Sequence, residues 1–147
     1  MSWSASVVVP TPLSPAIDPS QTGIRVELVD AQETVLDSLT LAGGLRDPAH
    51  PIGWSANHSR TRWRYADRTG TGRVRTAQLV VDDLTGRVAV RLTASGGTVA
   101  FTPANAPLGI RMLVSTTPRR CGALMFDPLG QTPTCKFSRT GASVQCR

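Results

Sequence analysis

The residues of this chain that are best suited to chemistry are concentrated in one stretch, Ile52–Asp67. It holds two of the three tryptophans, the only tyrosine and one of the two histidines. Over residues 59–67 arginines alternate with other residues, and successive side chains of a strand point to opposite faces. The pattern predicts a half-buried strand with an aromatic inner face and a guanidinium outer face. The outer set is Arg60, Arg62 and Arg64, and the inner set is Thr61, Trp63 and Tyr65.

The segment before this strand is the best candidate for a carbohydrate site. Trp54 lies in PIGWSANH, which we interpret as part of a loop over residues 43–56, and Asn57 and His58 are its polar neighbours. An exposed tryptophan in such a loop is a platform on which a sugar ring can stack. The alternative is that Trp54, which follows Gly53, closes the end of a β-sandwich, and the sequence favours this packing role.

The arginine row suggests a site for anions. Guanidinium groups bind carboxylates and phosphates by charge and by paired hydrogen bonds. Single-stranded nucleic acid would also require aromatic stacking platforms on the same surface. Since Trp63 and Tyr65 are predicted to point away from Arg62 and Arg64, the pattern disfavours nucleic acid. An anionic polysaccharide or cell-surface component is the preferred partner.

Catalysis has little support in the sequence. A nucleophilic enzyme needs a base beside its nucleophile, and the only histidines are His50 and His58. Ser59 follows His58 directly, so on a strand the two side chains would point apart. Asp82 and Asp83 precede Leu-Thr-Gly, which is typical of a turn rather than of paired catalytic carboxylates. We therefore predict a protein that is not an enzyme.

No cofactor or metal is predicted. Calcium at Asp82, Asp83 or Asp47 is conceivable, but the sequence contains no D-x-D-x-D-G loop. The cysteines form no C-x-x-C pair and have no histidine near them, so zinc spacing is not met.

The cysteines instead suggest a disulfide. Cys135 and Cys146 are symmetric about the Thr140-Gly141 pair, and a two-residue hairpin turn there would place them opposite each other. Opposed residues of antiparallel strands lie within disulfide range, about 4.5–5.5 Å between Cα atoms. Such a bridge favours export. Cys121 is either free or an alternative partner for one of the two.

Composition fits one domain with a packed core. The chain has 147 residues, of which 40% are hydrophobic. Its formal net charge is +6, and all its basic residues but Lys136 are arginines. This excess points to an anionic partner or, because the arginines are scattered, to GC-rich coding and an ordinary solvated surface. No stretch is long and apolar enough to span a membrane. The first residues lack the basic and apolar regions of a signal peptide, so an exported protein would have lost its signal or would be one domain of a longer chain.

Short alternating segments and frequent turn residues predict an all-β fold. Residues 1–22 are rich in Pro, Ser and Thr and are predicted to be an extended arm or linker, with Val7–Val9 able to form an edge strand. Residues 23–147 are predicted to form one antiparallel β-sandwich, Ig-like or jelly-roll-like, of about 9–11 short strands with a disulfide-tied C-terminal hairpin. The strands include Thr34–Leu41, with Val35, Leu39 and Leu41 on one face, and Thr98–Thr102.

The order of motifs from residue 23 resembles a known type of domain. The motifs are GIRVELVDA, TVLDSLTL, IGW, TRWRYAD and RMLVSTT, followed by a tail with RRCG, TCKF and a last cysteine. The chain is similar in these to an unnamed β-rich domain that recurs in secreted or surface proteins of environmental bacteria. The resemblance implies export and a non-catalytic accessory or surface role, and it implies no catalytic residues.

Three functional hypotheses follow. The first is a secreted or surface-displayed, non-catalytic domain with a structural, adhesive or accessory role. The second is a carbohydrate-binding module that prefers acidic glycans. The third is a self-assembling coat or filament subunit that uses its N-terminal arm.

Overall fold

A computed structural model describes the backbone of residues 2–95, 107–116, 119–125, 135–137 and 144–146, and the side chains of residues 4, 6–95 and 107–114. These residues are almost all in strands and turns. The elements are β1 (Ser2–Val8), α1 (Pro19–Thr22), β2 (Ile24–Val29), β3 (Val35–Leu41), β4 (Ile52–Ala56), β5 (Arg62–Asp67), β6 (Val74–Asp82), β7 (Arg87–Ala94), β8 (Gly109–Thr116), β9 (Arg119–Met125), β10 (Cys135–Phe137) and β11 (Val144–Cys146).

The strands form two main antiparallel sheets and a separate two-stranded pair. The larger sheet has the order β1-β7-β6-β5-β4, and the smaller sheet has the order β3-β2-β8-β9. Four consecutive strands, β4 to β7, follow one another as a meander. The prediction of an all-β, antiparallel fold is confirmed.

Both sheets contribute to one hydrophobic core. Strand β7 shows how the sequence builds it, because Val88, Val90 and Leu92 are buried while Arg87 and Arg91 are exposed. Core residues from the smaller sheet include Val26, Leu39 and Met112. The alternation predicted for β6, β7 and β8 is confirmed, and their buried residues are Val74, Ala77, Leu79, Val81, Val88, Val90, Leu92, Ala94, Ile110, Met112 and Val114.

The predicted arm belongs to this core. Residues 2–8 form the edge strand β1, which pairs antiparallel with β7 along its whole length. Further along, Val9, Leu13 and Ile17 are buried in the main core cluster. Their apolar side chains are spaced so that the Pro-rich segment contacts the core repeatedly, and the prediction of a separate arm or linker over residues 1–22 is corrected accordingly.

Three further local predictions are corrected. Residues 52–56, assigned to a loop, form β4 and pair with β5, with Trp54 opposite Tyr65. The strand predicted from residue 59 begins at Arg62, because Arg60 has a φ of 53° and lies in the turn. Val35 is exposed because a register shift between Leu28 and Val29 turns this end of β3 away from the core face.

The C-terminal predictions lie partly outside the described residues. The backbone of β10 and β11 pairs Cys135 with Cys146, the register that the sequence symmetry predicts. The turn at Thr140-Gly141, the cysteine side chains and the strand predicted over 98–102 are not among the described residues. The disulfide therefore stays a prediction.

No helix within the described ranges is long and apolar enough to cross a membrane.

Candidate anion-binding surface

Trp54 is a core residue in the structure. Its side chain is fully buried, and its indole Nε1 donates a hydrogen bond to the Ala42 carbonyl at 2.9 Å. Its ring meets Tyr65 edge to face, with 5.3 Å between ring centroids. The ring therefore offers no face to a sugar, and of the two interpretations of Trp54 the structure supports packing.

The loop between β4 and β5 is organised by Asn57. The Asn57 Oδ1 accepts hydrogen bonds from the backbone N–H groups of Thr61 and Arg62, at 3.0 and 2.9 Å. Its Nδ2 donates to Ser59 Oγ at 2.9 Å. Both ends of the Asn57 amide are thus used by the loop itself, while His58 at the tip is exposed.

Strand β5 separates its two residue types as predicted. Trp63 and Tyr65 are buried, and the Trp63 Nε1 donates to the Arg60 carbonyl at 3.0 Å. Arg62 and Arg64 are exposed on the outer face of the larger sheet. Arg60 is also exposed but belongs to the loop, where its Nη1 lies 3.7 Å from Asp18 Oδ2.

Strand β7 of the larger sheet adds two arginines to this outer face. The register places Arg64 beside Gln78 on β6 and Gln78 beside Arg91 on β7. Arg91 is therefore two strands from Arg64, or about 10 Å between backbones, while Arg62 and Arg64 are about 7 Å apart along β5. Arg87 completes the set at the end of β7. We call the surface formed by Arg62, Arg64, Arg87 and Arg91 the arginine face.

The arginine face carries a net positive charge. Among the outward positions of the described strands in this sheet, Asp82 is the single acid. The Asp82 Oδ2 accepts a hydrogen bond from the Thr85 hydroxyl. This bond and two from backbone N–H groups hold the Asp82 pKa below its usual value. Within the described side chains, Arg62, Arg64 and Arg91 have no carboxylate within ion-pair distance.

The smaller sheet is different. Its outward arginines Arg25 and Arg111 both contact Glu27, at 2.8 and 2.6 Å. The Glu27 side chain is buried beneath them. Among the described side chains of this sheet, both outward arginines therefore share one carboxylate, whereas on the larger sheet Arg62, Arg64 and Arg91 have none within ion-pair distance.

The sequence pattern identified half of the arginine face. Arg62 and Arg64 were found by alternation in an aromatic strand, but Arg87 and Arg91 were not. Both lie at outward positions of a strand whose inward residues were predicted, so the same alternation carried the signal. Alternation alone does not show that β7 lies two strands from β5, so it could not place these arginines on the same surface as Arg62 and Arg64.

Groups considered for catalysis or metal binding serve as turn residues. Asp47 Oδ1 accepts from the backbone N–H of His50 at 2.7 Å, and His50 Nδ1 lies 3.0 Å from the same oxygen. This contact lowers the Asp47 pKa. Asp82 closes the β6–β7 turn that also contains Asp83. Among the described residues, no three acidic, histidine or cysteine side chains are grouped so as to hold a metal ion.

The chain matches no family model, no curated protein and no solved structure.

Proposed function

We propose that this protein is a non-catalytic accessory or adhesive domain that binds acidic polysaccharide through its arginine face. The observation that carries the proposal is that three arginines of this face, Arg62, Arg64 and Arg91, have no carboxylate within ion-pair distance among the described side chains. Arginines whose backbones lie about 7 and 10 Å apart can present guanidinium groups to the repeated carboxylates or sulfates of an acidic glycan. The exposed outer face of the sheet also leaves room for an extended polymer to lie across several strands.

The aromatic side chains that the structure describes favour recognition by charge. Trp54, Trp63 and Tyr65 are buried, so none of them provides a stacking platform. Neutral glycans and single-stranded nucleic acid both depend on such platforms. An acidic glycan needs only the charges, which is why we prefer it to both.

Export is proposed on the basis of the cysteines. The paired register of Cys135 and Cys146 places their backbones opposite each other, as a disulfide requires. Mass mapping of the unreduced protein tests this proposal. A Cys135–Cys146 peptide is expected, and three free thiols in protein kept from reductants would remove the support for an oxidising compartment.

The fold is proposed to be a β-sandwich, because both antiparallel sheets contribute to one core. Its assignment as Ig-like or jelly-roll-like stays a prediction. Self-assembly through a free N-terminal arm is less favoured, since residues 2–8 already pair with β7 of their own chain.

Heparin affinity at graded salt tests the function. We expect retention that weakens steeply with salt, because exposed charges are screened. The double variant Arg64→Gln/Arg91→Gln should lower the slope of log affinity against log salt by about two, or about one per lost contact.

Arg25→Gln is the charge control for the single variant Arg91→Gln, which likewise removes one positive charge. It removes one positive charge from the opposite sheet, where Arg25 is paired with Glu27. Equal losses for Arg91→Gln and Arg25→Gln would show that net charge, and not the arginine face, governs retention. An absence of salt-dependent retention in the unaltered protein would reject polyanion binding itself.

A further inference from the structure

An open cleft lies at the end of the β4–β5 hairpin opposite the Asn57 loop. Its volume is about 330 Å³, near the lower end of the range for small-ligand sites. Its lining residues are Arg46, Asp47, Pro48, Pro51 and Arg68.

Backbone hydrogen bonds fix the walls of this cleft. The Arg46 N–H donates to the Trp54 carbonyl at 2.7 Å, which fastens residues 44–46 alongside β4. On the other side, the Arg68 N–H donates to the Pro51 carbonyl at 3.3 Å, one pair beyond the last pair of the β4–β5 ladder. The two prolines restrict the backbone further, so the cleft is largely formed before a ligand binds.

The cleft combines two arginines, which suit an anion, with one carboxylate, Asp47, which can accept a hydrogen bond. Among the described side chains, neither the Arg46 nor the Arg68 guanidinium has a carboxylate within ion-pair distance. Asp47 is ionised at neutral pH, as an ordinary aspartate is, and its hydrogen bonds with His50 lower its pKa further. Three contacts occupy its Oδ1, whereas Oδ2 has only His50 Nδ1, at 3.1 Å. Oδ2 can therefore still accept a hydroxyl hydrogen.

The cleft also continues the arginine face. Arg68 follows Arg62, Arg64 and Ala66 at alternate positions, and the Arg68–Pro51 hydrogen bond keeps it in line with the strand. We infer that this cleft binds one acidic sugar residue, with Arg46 and Arg68 on its carboxylate or sulfate and Asp47 on a hydroxyl. The inference rests on the proposed function, because the residue would belong to the polymer that lies on the arginine face.

Titration with D-glucuronate, followed by NMR or calorimetry, tests the inference. We expect saturable binding to the full chain that weakens at least tenfold in Arg46→Gln and in Arg68→Gln. D-glucuronamide, which lacks the charge, and glucose should bind at least tenfold more weakly than glucuronate. Inorganic sulfate should compete poorly, since it has no hydroxyl to offer Asp47.

The variants separate this inference from the proposed function. Arg91→Gln, on the arginine face, should lower heparin retention and leave glucuronate affinity within twofold. Unchanged glucuronate affinity in both cleft variants, or no saturable binding at all, would reject the cleft while heparin retention still supports the arginine face. Saturable glucuronate binding, combined with heparin retention that does not depend on Arg64 and Arg91, would support the cleft and reject the arginine face. Equal competition by sulfate would reduce the cleft to a general anion site and overturn its assignment to a sugar.

Discussion

Asn57 illustrates how a residue suited to ligand binding can serve the fold instead. Its position beside Trp54 and His58 suggested a polar partner for a sugar. In the structure its carbonyl and amide groups together contact two backbone N–H groups and two hydroxyls of the same loop. Asparagine is common in turns because its short side chain can form hydrogen bonds with backbone groups that have no backbone partner there.

Replacing Asn57 with alanine should therefore destabilise the protein, by about 1–3 kcal/mol in the free energy of unfolding. The loss arises because the N–H groups of Thr61 and Arg62 lose their shared acceptor. Urea unfolding measures the effect.

The neighbouring His58→Ala is the matched control. His58 is exposed at the tip of the same loop, so its replacement should change stability by less than about 0.5 kcal/mol. Equal effects of the two substitutions would contradict the structural role of Asn57.

At the scale of elements, β1 shows how a segment resembling a linker becomes part of a sheet. The four prolines and many hydroxyl residues of 1–22 suggested an arm. Its apolar residues nevertheless alternate well enough for Val7 to point inward, opposite Val88. Val8 points outward, with 74% of its surface exposed.

This pair gives a matched test within one strand. Val7→Ala should lower the free energy of unfolding by about 1–3 kcal/mol, because buried methyl groups are lost and a small cavity remains. Val8→Ala should change it by less than about 0.5 kcal/mol.

Chemical denaturation of both variants checks this prediction. If the N-terminal segment were a free arm, the two substitutions would have the same small effect. A large effect of Val7→Ala alone would show that the N-terminal segment is part of the folded domain. We then expect deletion of residues 1–22 to unfold the domain rather than release it from an assembly.

At the scale of the molecule, one ion pair links the two sheets. Arg73, just before β6, donates two hydrogen bonds of 2.8 Å to the carboxylate of Asp37 on β3. These hydrogen bonds are the main cause of the lowered Asp37 pKa. They hold a strand of the smaller sheet against the start of β6.

Because of the Asp37–Arg73 ion pair, we expect the free energy of unfolding to fall in acid. A carboxylate with a lowered pKa in the folded state adds stability above its ordinary pKa of 3.8 and loses it as the pH falls through the folded value. Asp37→Asn should therefore unfold more easily at pH 7 and show a shallower decline in stability below pH 4. Asp67 and Asp82 have lowered pKa values too, so part of the decline should remain.

Unfolding at graded pH measures this decline, with Asp83→Asn as a control that removes the same charge from an exposed turn. A double-mutant cycle of Asp37→Asn and Arg73→Gln should give a coupling of about 1 kcal/mol at pH 7, since the pair is partly exposed. A coupling near zero would show that the contact does not stabilise the junction of the sheets.

The sequence by itself determined the inward or outward direction of most strand residues, because alternation is a local property of the extended backbone. It also located the turn at Asp82–Gly86, where short polar side chains and a glycine satisfy the local geometry. The split of β5 into buried aromatics and exposed arginines was predicted on this basis and is confirmed.

Only the tertiary structure decided which strands are neighbours. The pairing of β1 with β7, and the distance of two strands between Arg64 and Arg91, depend on how distant segments share one core and one set of hydrogen bonds. The meeting of Arg46 and Arg68 at one cleft has the same origin. These residues are separated along the chain, and they lie on one surface because the fold brings their segments together.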